Sequence, residues 1–117
     1  MTVREFAAQY GYRIVTEESA SLDRPITGVY SCDLLSWAMA KVSAGDVWTT
    51  VHTNLNVVAV ASLTGAACVV IPENIEIEEP TVTRANREDV PLLSAGHGAA
   101  DIAVRAYQAV HGDVWPV

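Results

Sequence analysis

Between Asp46 and Asn74 the chain reads DVWTTVHTNLNVVAVASLTGAACVVIPEN, and this stretch leaves few folds open. The runs around Val47-Trp48 and Val69-Val70-Ile71 lack the polar alternation of a strand with one wet face, so both predict strands covered on two sides. Between them, Val57 to Leu63 is apolar nearly all round, which predicts a helix buried on more than one side. A buried strand, a helix and a second buried strand make a parallel crossover unit. The polar break His52-Thr53-Asn54 falls where the first strand hands over to the helix. In open α/β sheets such junctions are where ligands bind.

The flanking sequence extends the same alternation. Thr2-x-x-Glu5 is a capping box, Val3, Phe6, Ala7 and Tyr10 share one helical face, and Gly11 supplies the stop. Tyr12 to Val15 predicts a short strand, Thr16 to Pro25 a polar loop, and Ile26 to Tyr30 the next strand. Asp33 is placed to favour the positive end of a helix whose Leu34, Leu35, Ala38, Met39 and Val42 fall on one face. Glu73 to Glu79 is an acidic connector, and Pro80 opens a weaker helix through Asn86. Pro91 to Ser94 predicts a last short strand. The turn Ala95 to Gly98 then leads into a helix aligning Ala99, Ile102, Ala103, Ala106, Tyr107 and Val110, with Asp101 and Arg105 as an exposed i,i+4 pair. The expectation is one small α/β domain over residues 1–117, a mostly parallel sheet with flanking helices. In the tail, Trp115-Pro116-Val117 is expected to pack on the domain or on a second subunit.

Composition narrows the function classes. Seven basic against fourteen acidic side chains give a formal charge of -7, and no helix carries a Lys/Arg stripe, so neither nucleic acid nor an anionic membrane surface is an expected partner. No apolar run approaches the roughly 20 residues of a membrane span, and MTVREF lacks a signal-peptide core. Cys32 and Cys68 are far apart, Cys68 within an apolar strand, so a cytoplasmic setting with reduced thiols is expected. The phosphate-loop pattern GxxxxGK[ST], GxGxxG and GxSxG are all absent, and no catalytic residue is assigned. His52, His97 and Cys32 come from three separate loops without close ligand spacing, so neither metal nor cofactor is expected.

If the sheet is parallel, right-handed crossovers bring the strand-to-helix loops to one rim. That rim would present Ser31, Asp33, His52, Thr53, Asn54, Glu73 and His97, the candidate ligand-binding residues. Ser31, Asp33 and Asn54 are equally good helix-start residues. His52 lies in an otherwise apolar run, where an imidazole needs a partner or partial solvation.

The order of these motifs resembles the DRTGG-domain family over Ile26 to Tyr107. The resemblance is carried by the entry Ser31 to Leu35, the strand start Ala44 to Asp46 and the helix Asn56 to Ala61. It implies a fold similar to the N-terminal domain of HPr kinase without the kinase's catalytic domain. It also implies a regulatory or ligand-sensing module, non-catalytic and homodimeric, with a small molecule or a protein as partner, in a signalling setting. In some inorganic pyrophosphatases such domains sit between CBS domains that bind adenine nucleotides. Two departures bear on the ligand. The family's Gly-Asp-Arg elbow is His52-Thr53-Asn54 here, and its Thr-Gly-Gly is Pro72-Glu73-Asn74, so a cation is lost and a carboxylate gained. The alternatives are a small-molecule site in the rim loops, for a nucleotide among others, and an enzyme with His52 or His97 as general base.

Overall fold

The computed structural model describes residues 1–113; the expectation for Trp115-Pro116-Val117 lies outside the described residues. The chain runs α1 (Val3–Tyr10), β1 (Arg13–Ile14), β2 (Gly28–Ser31), α2 (Leu35–Lys41), β3 (Asp46–Thr49), α3 (Leu55–Thr64), β4 (Cys68–Ile71), α4 (Glu79–Glu88), β5 (Leu92–Ser94) and α5 (Ala99–His111), with a 3-10 turn at Ala20–Asp23. The five strands form one sheet in the order β1-β5-β4-β3-β2. β2 to β5 are parallel, and β1 lies antiparallel on the outside of β5, with Ile14 opposite Leu93. The architecture is therefore the mixed, mostly parallel α/β sheet that the sequence predicts.

The period of two in the strands sorts their side chains between two cores. Val47, Cys68, Val70 and Leu93 join Phe6 of α1 and Ile102 and Ala106 of α5. Trp48, Val69, Ile71 and Leu92 join Ala38 of α2, Val57, Val58 and Ala61 of α3, and Ala85 of α4. Consecutive parallel strands linked by crossovers of one hand place all their linking helices on one face, so α2, α3 and α4 form one layer and α1 and α5 the other. All four residues of β3 and of β4 are buried, the condition their unbroken apolar runs require.

Helix ends follow local chemistry. In the capping box of α1 the Glu5 amide donates to the Thr2 hydroxyl at 3.1 Å, and the Thr2 amide donates to the Glu5 carboxylate at 2.9 Å. Asn54 accepts from the Asn56 amide at 2.9 Å to open α3, and Gly65, at a left-handed φ of 76°, closes it.

Three packing expectations need correction. α2 opens from Leu34 with no side-chain cap, not from Asp33. Of the five residues expected on its inner face, only Ala38 and Val42 are buried, because α2 ends the helical layer and has a neighbour on one side only. α3 is buried on more than one side, as expected, against the sheet, α2 and α4, although Leu63 stays 75% exposed. Arg105 does not pair with Asp101; its guanidinium lies 5.6 Å above the Tyr10 ring and reaches His97. Of the tryptophans, Trp48 is fully buried, while Trp37 is 52% exposed and donates its Nε1–H to the Tyr30 hydroxyl at 2.9 Å.

Candidate functional site

The carboxyl ends of β2, β3, β4 and β5 lie side by side, so the loops after them share one rim. Their hydrogen bonds tie them into two halves. In the first, the Asp33 carboxylate accepts from the Thr50 hydroxyl and from the Val51 amide, both at 2.9 Å. Asp33 thus clamps the loop after β2 to the loop after β3 instead of serving the α2 amides. Thr50 in turn accepts from the His52 amide at 3.3 Å. The far end of this loop is held by α4, where the buried Thr81 hydroxyl donates to the Thr53 carbonyl at 2.6 Å. The Thr53 hydroxyl points to the Glu78 carboxylate at 3.4 Å. His52 and Thr53 are half-buried, whereas Ser31, Asp33 and Asn54 are exposed.

The second half joins the loops after β4 and β5. The Glu73 amide donates to the His97 carbonyl and the Asn74 amide to the Ala95 carbonyl, both at 2.9 Å. Glu73 and Asn74 both take left-handed backbone, φ 58° and 54°, a conformation uncommon outside glycine. Those two amide bonds are what hold them there. A Cβ on Gly96 would come within 3.3 Å of the Asn74 side chain, so the close approach of the two loops favours glycine at that position.

His97 is half-buried, like His52. Its Nδ1 lies 3.3 Å from Arg105 Nη1, and its ring centroid is 6.2 Å from that of Tyr12. The Tyr12 hydroxyl is buried without a hydrogen bond of good geometry. Burial raises its pKa, with the nearby Arg105 guanidinium pulling the other way. Arg105 therefore supplies a cation to the rim. The sequence hides it, because it stands eight residues beyond His97 and reaches back through the tilt of helical side chains toward the N-terminus. Thr50, Glu78 and Thr81 are the other rim residues that sequence reasoning misses. Each is held by a contact with a residue 17 or more positions away.

The rim gathers Asp33, His52 and Thr53 in one half and Glu73 and His97 in the other, with Asn54 spent as a cap and Ser31 on the edge strand. The strands β2 to β5 follow one another in sequence order, so their parallel array has no point where strand order reverses. That reversal is what opens the usual crevice of α/β sheets. Hollows lie elsewhere on the surface. One of about 440 Å³ runs between α2 and α3, and a polar one of about 180 Å³ is lined by Thr16, Glu17, Ser19, Asn86 and Asp89, among others. Among the described residues no three His, Cys, Asp or Glu side chains are grouped as metal ligands, and no helix is long and apolar enough to cross a membrane.

No protein-family model and no curated protein matches the chain. Among solved structures, the fold is similar to the crystal structure of the CBS and DRTGG domains of the regulatory region of Clostridium perfringens pyrophosphatase, complexed with the activator diadenosine tetraphosphate. The TM-score is 0.70 at 9% sequence identity, over 96% of this chain and 48% of that one. The chain thus spans about half the length of the structure it matches. At this identity the likeness is one of fold alone.

Proposed function

We propose that this chain is a non-catalytic regulatory module of the DRTGG type. It senses a small polar molecule at the rim and acts as a homodimer. The observation that carries the reading is the fold likeness, which takes in nearly the whole chain and has a regulatory region, not a catalytic domain, on the other side. Two features of the rim support a sensing role. Its loops are cross-tied, by side chains in one half and by backbone amides in the other, so a ligand that pulls on one loop moves its neighbour. Its polar residues also come from four chain segments, which binding would draw together. The contact of His97 with Arg105 favours a positioning role for that imidazole over general-base chemistry.

Charge sets the ligand class. Asp33, Glu73 and Glu78 bring carboxylates to the rim against the single guanidinium of Arg105. A polyphosphate would meet more negative than positive charge there, a contact that electrostatics disfavours. The rim suits a neutral or weakly charged polar ligand, such as a nucleoside. The same fold in the pyrophosphatase region is crystallised with diadenosine tetraphosphate, so that compound belongs in the test.

A thermal-shift screen of nucleosides, nucleoside polyphosphates, diadenosine tetraphosphate and polar metabolites decides the matter. A true ligand at 100 times its dissociation constant adds about 2.7 kcal/mol of stability. We expect uncharged members to give this shift, and His97→Ala and His52→Ala variants to lose it while still melting cooperatively. An unchanged melting temperature across the panel would remove the sensing reading.

A further inference from the structure

We infer that the outer face of α2 and α3 is the surface on which a second copy of this chain docks. The inference rests on the homodimer part of the reading above and gives it a location. It starts from a mismatch in α3. A helix apolar all round belongs in a core, yet α3, with the sheet beneath it and α2 and α4 on its flanks, still leaves large apolar side chains in the open. Val57, Val58, Val60 and Ala61 are buried, whereas Leu63 is 75% and Leu55 40% exposed. Its neighbour α2 repeats the pattern with Leu34, Trp37 and Met39. Of the eight large apolar residues exposed among the described ones, six lie in α2, α3 or the segments that lead into them. Scattered exposed leucines are ordinary, but a gathering of this kind marks an interaction site.

Shape and charge both favour a copy of the chain as the occupant. Between the helices runs an apolar groove of about 440 Å³, lined by Leu35, Ser36, Met39, Asn56, Ala59 and Val60. Leu63 stands one turn beyond Ala59 and Val60 on the same helix, so knob and hollow belong to one surface. A two-fold axis through that surface seats each Leu63 in the other copy's groove, the self-complementary arrangement of an isologous dimer. The chain carries a formal charge of -7, so two copies repel over most orientations. Residues 34–41 and 55–64 contain no Asp or Glu, and their one charge, Lys41, lies over the Trp37 ring at 5.2 Å. The charged residues Arg84, Arg87 and Glu88 border the opposite flank of α3, toward α4. This is the face on which two acidic chains can meet without opposing carboxylates.

The area sets the strength. α3 is roughly 15 Å long, and packed helices stand about 8–10 Å apart. The face is therefore smaller than the roughly 800 Å² per partner of a standard stable interface. The dimer is accordingly concentration-dependent rather than obligate.

Sedimentation velocity on the whole chain from about 1 μM to about 1 mM tests this, with a dissociation constant expected in the micromolar range. Leu63→Lys and Met39→Lys, both at exposed positions, should weaken association at least tenfold. Val104→Lys, at an exposed apolar position on α5, should leave it unchanged; circular dichroism confirms that each variant is folded. A wild-type chain that stays monomeric throughout overturns both the dimer and its surface. Dimers that survive Leu63→Lys and Met39→Lys intact keep the homodimer and overturn this face. Neither result touches the ligand reading, which the thermal shifts decide separately.

Discussion

α3 and α4 play the same connecting role, α3 in the middle of the helical layer and α4 at its end. Each has ten residues, links two adjacent parallel strands and lies on the same face of the sheet. They are nonetheless built on opposite plans. α3 carries no charge, buries four residues, and has a side-chain cap at Asn54 and a glycine stop at Gly65. α4 buries only Thr81 and Ala85, starts at Glu79 with Pro80 in its first turn and no side-chain cap, and carries Glu79, Arg84, Arg87 and Glu88. Place in the layer explains part of the difference, because α3 has a helix on each flank and α4 has only α3. A linking helix needs one apolar stripe, and α4 shows how little suffices. What the monomer's own core leaves unused on α3 is Leu63 and, in part, Leu55.

The comparison breaks most plainly on the inner faces. Val58 is fully buried between α3 and the sheet. Val58→Asp places an unpaired charge there and should cost more than about 4 kcal/mol, enough to unfold a domain of marginal stability. Thr83→Asp, on the exposed side of α4, should stay within about 0.5 kcal/mol. Urea denaturation of the two variants checks the contrast. Comparable losses would mean that α4 contributes to the core as α3 does.

A smaller effect separates the helix starts. Asn54→Ala removes the acceptor for the Asn56 amide and should cost about 1 kcal/mol. Glu78 occupies the corresponding position of α4 and makes no capping bond, so Glu78→Ala should change stability by only a few tenths of a kcal/mol. Amide exchange at Asn56 should accelerate in the first variant and stay unchanged in the second. Equal costs would show that loop contacts, not caps, hold these ends.

How much of this was legible in the sequence depends on the range of the cause. The cap at Asn54, the stop at Gly11 and the buried runs of β3 and β4 are local, and the sequence predicts each correctly. The direction of β1 is not local. A two-residue strand carries no signal for the partner it will choose, and its antiparallel pairing with β5 appears only in three dimensions. The rim shows the same limit. Its position follows from the crossover pattern, but Asp33 looks like a helix opener until Thr50 and Val51 take its carboxylate. Arg105 looks like half of a surface pair until it is found beside His97. The half-exposed face of α2 has a further cause: an amphipathic pattern predicts burial, but a helix at the end of a layer has only one flank to bury.

The smallest expected effect tests what holds the outer surface of each helix. On α4, Arg84 pairs with Glu88 at i,i+4 with both side chains partly solvated. Such a pair contributes roughly 0.3–0.5 kcal/mol and is screened by salt. Glu88→Gln should therefore lower stability by no more than this at low ionic strength, and by nothing measurable near 1 M salt, where the screening length is about 3 Å. α3 has no charge to lose, so substitutions on its outer face should show no such dependence in the monomer. They should instead respond to protein concentration, because contact with another chain is the only covering its leucines can gain. A salt-dependent cost at Leu63→Ala that is the same at every protein concentration would contradict that division. It would place the surplus apolar surface of α3 in the monomer's own energetics.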